Sequence, residues 1–314
     1  MPAISASAPG KTILFGEHAV VYGSPAIAIP ISSLRIKAII QPNIESQDSV
    51  VAFNNGTNRQ KFNIHALPPD DLIRGIVSVF EEQTHRKLSP FTLTIHSEIP
   101  IAAGLGSSAA VAVAVTRTLG EFSGLKLNGN EINEFAYKSE IVQHGTPSGI
   151  DNSVITYEKP IYFEKGMPIQ TITIKNKLHF VLADSGERTL TKKVVDFVRE
   201  SMEKDHTNYQ NLLFSISDIC RIAKNAIMAG DAHVIGKLMI QNHSLLQKMG
   251  VSSQKLDKLV DLSLQAGAFG AKLCGGGQGG FMVSICDKET VDTVTDQLRK
   301  ISSCVIKASI GGLE

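Results

Sequence analysis

Residues able to bind phosphate gather in the glycine-rich segments of this 314-residue chain. The 26 glycines are clustered, and one cluster, PIAAGLGSSAA at residues 100–110, ends in Ser107 and Ser108 at the start of a predicted Ala-rich helix. Glycine lets the backbone adopt positive φ or approach a ligand closely. A helix start presents unsatisfied N–H groups and the positive end of the helix dipole, which suits phosphate, and a serine hydroxyl there can reach Mg²⁺. Taken alone, the alternative is a structural helix start that serine merely caps.

Two carboxylates downstream could serve the same chemistry. Glu140 shares a helical stripe with Ile132 and Ala136, and a carboxylate on an apolar stripe is costly unless it is paired or bound to metal. The alternative is that Glu140 emerges at the helix end and pairs with a Lys or Arg. The segment HGTPSGIDN at residues 144–152, between a helix and an expected strand, predicts that Asp151 lies on a turn. In isolation, Asp151 could be a turn residue and nothing more.

A third set of polar residues lies near the start of the chain. In PGKTILFGEHAVVYG, residues 9–23, Lys11 precedes a short apolar strand, and Glu17 and His18 follow it. Three titratable residues that bracket an apolar strand do not resemble a solvated face. A lone histidine is more often a satisfied core residue, so His18 by itself indicates little.

Three generic nucleotide-binding fingerprints nearly match and are excluded by their context. Residues 10–12 resemble the end of a Walker A loop, but Ser5 occupies the position of the required upstream glycine. Residues 104–109 fit the dinucleotide pattern, but no second strand ends in an acidic residue about 20 positions later. Residues 275–280 fit G-x-G-x-x-G, but a predicted strand follows where a helix is required.

The order of helices and strands predicts an α+β fold with a domain boundary near residue 180. Helices dominate after that point, so the expected domains are residues 1–180 and 181–314. Residues 42–58 are predicted as a loop or hairpin, and residues 161–174 as hairpin-like. Predicted strands cover 12–15, 34–40, 91–97, 178–183, 281–286 and 304–309, and predicted helices cover 70–82, 107–122, 130–143, 192–203, 209–229, 233–248, 253–266 and 288–300.

Composition excludes several classes of function. Thirty-one Lys and Arg against 30 Asp and Glu give a formal charge of +1, so no basic surface for nucleic acid or membrane is expected. Apolar runs are too short for a membrane span, and the first residues do not resemble a secretory signal. The four cysteines show no metal-ligand spacing and are expected to be reduced thiols in a cytoplasmic protein.

Three ordered motifs together resemble the GHMP kinase superfamily, named for galactokinase, homoserine kinase, mevalonate kinase and phosphomevalonate kinase. They are PGKTILFGEHAVVYG at 9–23, PIAAGLGSSAA at 100–110 and KLCGGGQGG at 272–280. Within the superfamily, FGEHAVVYG and HGTPSGIDN resemble the mevalonate kinase branch. The resemblance implies phosphorylation of the 5-hydroxyl of mevalonate by ATP, which gives 5-phosphomevalonate and ADP in isoprenoid precursor biosynthesis.

The resemblance also implies how the nucleotide is bound. Two domains are expected, ribosomal-protein-S5-like at the N-terminus and ferredoxin-like α/β at the C-terminus, with the active site between them. The implied cofactors are ATP and Mg²⁺, with Ser108 and Glu140 holding the metal. The implied ATP-binding residues are Pro100, Ala103, Gly104, Leu105, Gly106, Ser107, Ser108 and Ala109.

Reacting and substrate-binding residues follow from the same resemblance. Asp151 would act as the base or orienter for the substrate hydroxyl, and Lys11, near Asp151 and the γ-phosphate, would neutralise developing charge. Mevalonate would be bound by Glu17, His18 and Thr191. The partners are therefore small molecules, with no nucleic acid or membrane, and a homodimer is left open because relatives are often dimers.

One departure and two rival functions accompany this interpretation. The third motif usually resembles KLTGAGGGG, whereas Cys274, Gly276 and Gln278 stand at its Thr, Ala and third-Gly places. Gln278 could narrow the site, bind substrate or point outward. A phosphomevalonate or homoserine kinase is one rival, but a phosphorylated acceptor would call for more basic residues than Lys11. The other rival is an inactive relative that binds ligand as a sensor. Such a protein would be expected to have lost Asp151, Glu140 or Lys11, and all three are present.

Overall fold

Two compact units make up the structure. The computed structural model describes residues 2–44, 46–55, 58–100, 104–145 and 147–312. Neither unit is contiguous in sequence, and the expected boundary near residue 180 stays a prediction. The first unit draws on Met1–Gly10, Leu34–Pro100 and Gly106–Glu158, and the second on Lys11–Ser33, Ile101–Leu105 and Lys159–Glu314.

The first unit combines a sheet with four helices. Strand β3 is parallel to β5, whereas β3–β4 and β2–β5 are antiparallel, which gives the order β4-β3-β5-β2. Helices α1 to α4 pack on one another, and Phe80 stacks on Phe135 with ring centroids 5.4 Å apart. The elements are β1 (Ile4–Phe15), β2 (Ala26–Pro42), β3 (Val50–Asn55), β4 (Asn58–Asn63), α1 (Leu72–Thr84), β5 (Phe91–Ser97), α2 (Ser107–Phe122), α3 (Gly129–His144) and α4 (Ile150–Tyr157). Strands β1 and β2 each continue into the second unit.

The second unit is built on an antiparallel sheet of order β11-β8-β10-β9. Its apolar core includes Val181 from β8, Leu246 from α7, Leu273 from β9 and Met282 from β10, all buried. The first part of β2 pairs with β6. The remaining elements are β6 (Ile161–Phe163), β7 (Gln170–Thr171), β8 (Leu178–Asp184), α5 (Thr191–Lys204), α6 (His206–Ala229), α7 (Ala232–Lys248), α8 (Gln254–Gln265), β9 (Gly270–Leu273), β10 (Phe281–Cys286), α9 (Val291–Arg299) and β11 (Val305–Ile310).

The mixture of helices and strands confirms the predicted α+β class. Strands β5 and β10 and helix α2 have the predicted ends, and the other predicted helices shift by a few residues. Two short elements, α4 and β9, were not predicted, and β2 begins at Ala26 rather than at residue 34. Among the described residues, no helix has the length and apolar character needed to cross a membrane.

Candidate active site

Residues 104–110, from the second of the three glycine-containing motifs, include the start of helix α2. Gly104 and Gly106 have φ of 74° and 75°, and Gly106 is the N-cap of the 16-residue helix α2. The N-cap position belongs to a glycine and not to a serine, and within the described residues no side chain caps this terminus, so the alternative that serine only caps the helix does not hold. Ser107 and Ser108 occupy the first turn and are half-buried. The terminus therefore offers backbone N–H groups and a dipole end to an anion.

Several residues next to this helix start are buried or half-buried. Leu105 is buried, and its carbonyl accepts a hydrogen bond from the backbone N–H of Lys11 at 2.9 Å. Pro100 is half-buried and Ala109 is buried. The predicted ATP-binding residue Ala103 lies outside the described residues.

The two candidate carboxylates lie on helices that pack against α2. Glu140 is buried on α3, with 5% of its surface exposed. Asp151 is half-buried in the first turn of α4, which follows Gly149 at φ 87°. The prediction that Asp151 lies on a turn was therefore wrong. An acidic residue in a first helical turn is stabilised by the positive end of the helix dipole.

The far end of α4 is fixed by a cluster of two arginines and one carboxylate. Arg35 donates to both carboxylate oxygens of Glu158, at 3.0 and 3.1 Å, and Arg117 donates to Oε1 at 2.8 Å. Arg117 also donates to the Thr156 carbonyl at 2.8 Å. Burial opposes ionisation of Glu158, but the hydrogen bonds from both arginines outweigh it and lower its pKa. The cluster holds the C-terminal end of the helix whose first turn carries Asp151.

In the second unit, Glu17 belongs to a buried polar cluster. Lys272 is fully buried, and its ammonium contacts Glu17 Oε1 and donates to the Leu273 carbonyl at 2.6 Å. Asn242, also fully buried, donates from Nδ2 to Glu17 Oε2 at 3.2 Å. Buried charges require such partners because their desolvation is expensive. Sequence reasoning assigned no role to Lys272 or Asn242. For Lys272, the available signal is its place within the short apolar segment that forms β9.

His18 forms the centre of a strained turn. Its φ of 60° and ψ of −47° let the Ala19 N–H donate to the Glu17 carbonyl at 2.7 Å, which closes a γ-turn. Positive φ in a non-glycine residue costs about 1–3 kcal/mol and is retained where the surroundings enforce it, often at functional sites. The ring is buried, and its Nε2 lies 2.9 Å from the Gly276 carbonyl. Because a carbonyl only accepts, Nε2 carries the hydrogen and Nδ1 is left as an acceptor in the neutral ring.

Burial also sets the charge of His18. Desolvation lowers its pKa to about 4, against a smaller opposing effect of the Gly276 hydrogen bond, and the nearby charge of Lys272 lowers the pKa further. The imidazole is therefore neutral at pH 7. The Nδ1 of the neutral ring can accept a hydrogen bond from a hydroxyl group of a ligand.

The third glycine motif is held tightly against neighbouring backbone. A Cβ on Gly277 would lie 2.1 Å from the Val251 carbonyl oxygen. Gln278 has φ 50°, its N–H donates to the same oxygen at 2.7 Å, and its side-chain Nε2 donates to the Gly250 carbonyl at 3.3 Å. The Gln278 side chain is thus used to anchor the loop to the α7–α8 connection. Cys274 is a buried free thiol whose Sγ donates to the Phe281 carbonyl at 3.3 Å.

The predicted substrate residue Thr191 lies beside this glycine motif. It is the exposed first residue of α5. A Cβ added to Gly276 would lie 3.2 Å from Thr191 Cγ2. Gly276 is also the residue whose carbonyl binds His18. Arg188 is engaged elsewhere, donating to both carboxylate oxygens of Asp184 at 2.7 and 2.6 Å. Within the second unit, His18 and Thr191 therefore both lie against Gly276.

Known proteins resemble this chain over most of its length. The family model described as GHMP kinases N terminal domain matches residues 71–159, and that described as GHMP kinases C terminal matches residues 223–302. The chain is 34% identical to a mevalonate kinase of Thermococcus onnurineus, covering 93% of this chain and 92% of the relative. It is 30% identical to that of Schizosaccharomyces pombe, covering 98% and 89%.

Solved structures show the same similarity. L. major mevalonate kinase in complex with R-mevalonate matches with a TM-score of 0.82 and 28% identity, covering 98% of this chain and 95% of that one. Methanococcus jannaschii mevalonate kinase matches with a TM-score of 0.85 and 26% identity, covering 100% and 99%. A phosphomevalonate kinase of Streptococcus pneumoniae shares the fold alone, with a TM-score of 0.81 at 18% identity.

Proposed function

Since this chain belongs to the GHMP kinase family, and its relatives at 30–34% identity are mevalonate kinases, we propose that it transfers the γ-phosphoryl group of ATP to mevalonate. The product is 5-phosphomevalonate, a precursor in isoprenoid biosynthesis. The observation that carries the phosphate chemistry is the start of α2 after Gly104, with the glycine Gly106 as its N-cap. Backbone N–H groups at such a terminus bind the phosphates of ATP.

Asp151 and Lys11 are the residues proposed to act on the reacting groups. Phosphoryl transfer depends mainly on positioning and on stabilising charge, so an oriented hydroxyl and a fixed cation supply most of what is needed. Asp151 orients the mevalonate hydroxyl and accepts its proton. Lys11, a buried residue of β1, stabilises charge on the transferred group. General-base assistance of this kind contributes about 10²–10⁴-fold.

Mg²⁺ is proposed to be held by Ser108 and Glu140. Among the described residues, no three His, Cys, Asp or Glu side chains form a metal cluster. A hydroxyl on the first turn of α2 and a buried carboxylate on the adjacent α3 are hard oxygen donors, and Mg²⁺ in kinases takes one or two such ligands together with substrate phosphates. The donor set therefore fits this metal. When bound, Mg²⁺ neutralises charge on the β- and γ-phosphate oxygens.

Mevalonate is proposed to bind at Glu17, His18 and Thr191. The Glu17 carboxylate and the Nδ1 of neutral His18 accept hydrogen bonds from hydroxyls, and the exposed Thr191 hydroxyl can donate or accept. The position of Thr191 next to Gly276, which also binds His18, supports this grouping.

The deciding experiment is an ADP-release assay with ATP, Mg²⁺ and a panel of four acceptors: mevalonate, phosphomevalonate, homoserine and galactose. Mevalonate should give the highest kcat/KM. No turnover with mevalonate, together with turnover of another acceptor, would overturn the proposal.

The assigned roles are tested by Asp151→Asn and Lys11→Met. Each should lower kcat by about 10²-fold or more while the thermal transition and far-UV circular dichroism stay close to wild type. Asp292→Asn is a matched control because Asp292 also lies in a first helical turn but pairs with Lys307 at the surface. It should keep wild-type kcat. A near-wild-type kcat for Asp151→Asn would refute its role.

A further inference from the structure

Helix α7 supplies the second partner of the Glu17 carboxylate. Lys272 contacts Oε1 and Asn242 donates to Oε2 at 3.2 Å, so each carboxylate oxygen has its own buried donor. A carboxylate held at both oxygens keeps one orientation, whereas a single contact leaves it free to rotate. The backbone of Glu17 is fixed as well, because its carbonyl closes the γ-turn around His18.

The next residue on the same helix fixes the other member of the ion pair. His243 Nδ1 accepts the N–H of Leu273 at 3.3 Å, and its Nε2 donates to Asp257 at 3.1 Å. The carbonyl of Leu273 in turn accepts from the Lys272 ammonium. Two successive residues of α7 thus set the positions of both Glu17 and Lys272.

Asn242 is not explained by stability alone. It is fully buried, and in the part of the chain that the structure describes its Oδ1 has no hydrogen-bond partner. An unpaired buried acceptor destabilises the folded state, so the amide is retained for its donor, which holds a buried carboxylate. The amide is therefore placed for the donor that it gives to Glu17.

We infer that Asn242 is a positioning residue for mevalonate phosphorylation, acting through Glu17; this rests on the proposed function. Misplacing a binding group by about 1 Å can cost roughly 10²-fold, and outer partners that orient a binding group typically contribute about 10- to 100-fold. We expect Asn242→Leu to raise KM for mevalonate by that factor while KM for ATP stays within about twofold. In a Glu17→Gln background the same substitution should have little further effect, because the residue through which it acts has already been altered.

Leu246→Ala is the matched control on the same helix. Leu246 is fully buried one turn after Asn242, and its truncation loosens α7 without removing a contact to Glu17. It should lower Tm and leave KM for mevalonate unchanged. Asn242→Leu should also lower Tm, because Glu17 loses a buried donor, but unlike Leu246→Ala it should raise KM for mevalonate.

Asn242→Asp gives a readout that a purely structural role would not produce. The new carboxyl would face the Glu17 carboxylate at hydrogen-bond distance, and two such groups share a proton at pH values where each alone is ionised. The protonated form can donate to Glu17 as the amide did. The ratio of variant to wild-type kcat/KM for mevalonate should therefore rise at least about tenfold from pH 8.5 to 5.5. Both proteins share the other titratable groups near this cluster, which include Lys11, His18, Cys220, His243, Asp257, Lys272 and Cys274.

Several outcomes would overturn the inference. They are an unchanged KM for mevalonate in Asn242→Leu, an equal rise in both KM values, or full additivity with Glu17→Gln. If Asn242→Asp fails to fold, Asn242→Leu and the double variant decide the question. Failure of the proposed function is distinguishable, because the wild-type protein itself would then give no turnover with mevalonate.

Discussion

Acidification from pH 7.5 to 5.0 should lower the free energy of unfolding by about 2 kcal/mol through His18 alone. Burial lowers the pKa of His18 to about 4 in the folded protein, against 6.5 for an ordinary histidine. The unfolded chain therefore binds the proton first, and stability falls as pH falls between these two values. The contribution is fully present above about pH 6.5. The gap between the two pKa values sets a ceiling of about 3 kcal/mol, of which about 2 kcal/mol applies at pH 5.0.

The measurement compares wild type with His18→Gln by urea unfolding at both pH values. Glutamine does not titrate, and its amide can still donate to the Gly276 carbonyl, which accepts from His18 at 2.9 Å. Other titrating groups, including His243, whose pKa burial also lowers, are common to both proteins and largely cancel in the difference. The wild-type protein should lose about 2 kcal/mol more than the variant. Equal losses, or a His18 pKa near 6.5 by histidine NMR, would refute the reasoning.

Two further substitutions test single contacts in the second unit. Gly277→Ala should lower Tm by several degrees more than Gly23→Ala. Both glycines have positive φ, 79° and 89°, but a Cβ at Gly277 would lie 2.1 Å from the Val251 carbonyl oxygen, whereas a Cβ at Gly23 meets open space. Equal shifts in thermal melts would contradict the loop geometry. Asp184→Asn should lower the free energy of unfolding by about 1–2 kcal/mol in urea, because it weakens the double hydrogen bond from Arg188. The Arg188 side chain is 38% exposed, so solvent screening limits the effect. A wild-type midpoint would show that this ion pair contributes nothing.

The elements that carry the site were predictable where the local pattern was strong. Helix α2 has the predicted ends because an Ala-rich stretch follows Gly106, which adopts positive φ and so begins the helix. Helix α4 was missed because its sequence, IDNSVITY, is two turns long and rich in residues with modest helix propensity. Tertiary contacts stabilise it, notably the two arginines that bind Glu158 at its end. The resulting position of Asp151, on a helix and not a turn, depends on those distant contacts.

The site was predictable only as far as its motifs extend. Lys11, Glu17 and His18 share one segment, and their residue types indicate chemistry. The hydrogen bond of Asn242 to Glu17 had no signal in the sequence, because the two residues lie 225 positions apart and an isolated asparagine on an amphipathic helix carries no spacing rule. The orientation of Gln278 was likewise open, since it is decided by the Gly250 carbonyl to which the side chain donates.

The interleaving of the two units in sequence constrains how this gene can recombine with those of its relatives. Residues 11–33 belong with residues 159–314, so a single crossover between residues 34 and 241 would take Glu17 from one parent and both of its buried partners, Asn242 and Lys272, from the other. At about one-third identity most positions differ between the parents. Paired crossovers near residues 33 and 158 would let one parent supply both the carboxylate and the groups that hold it.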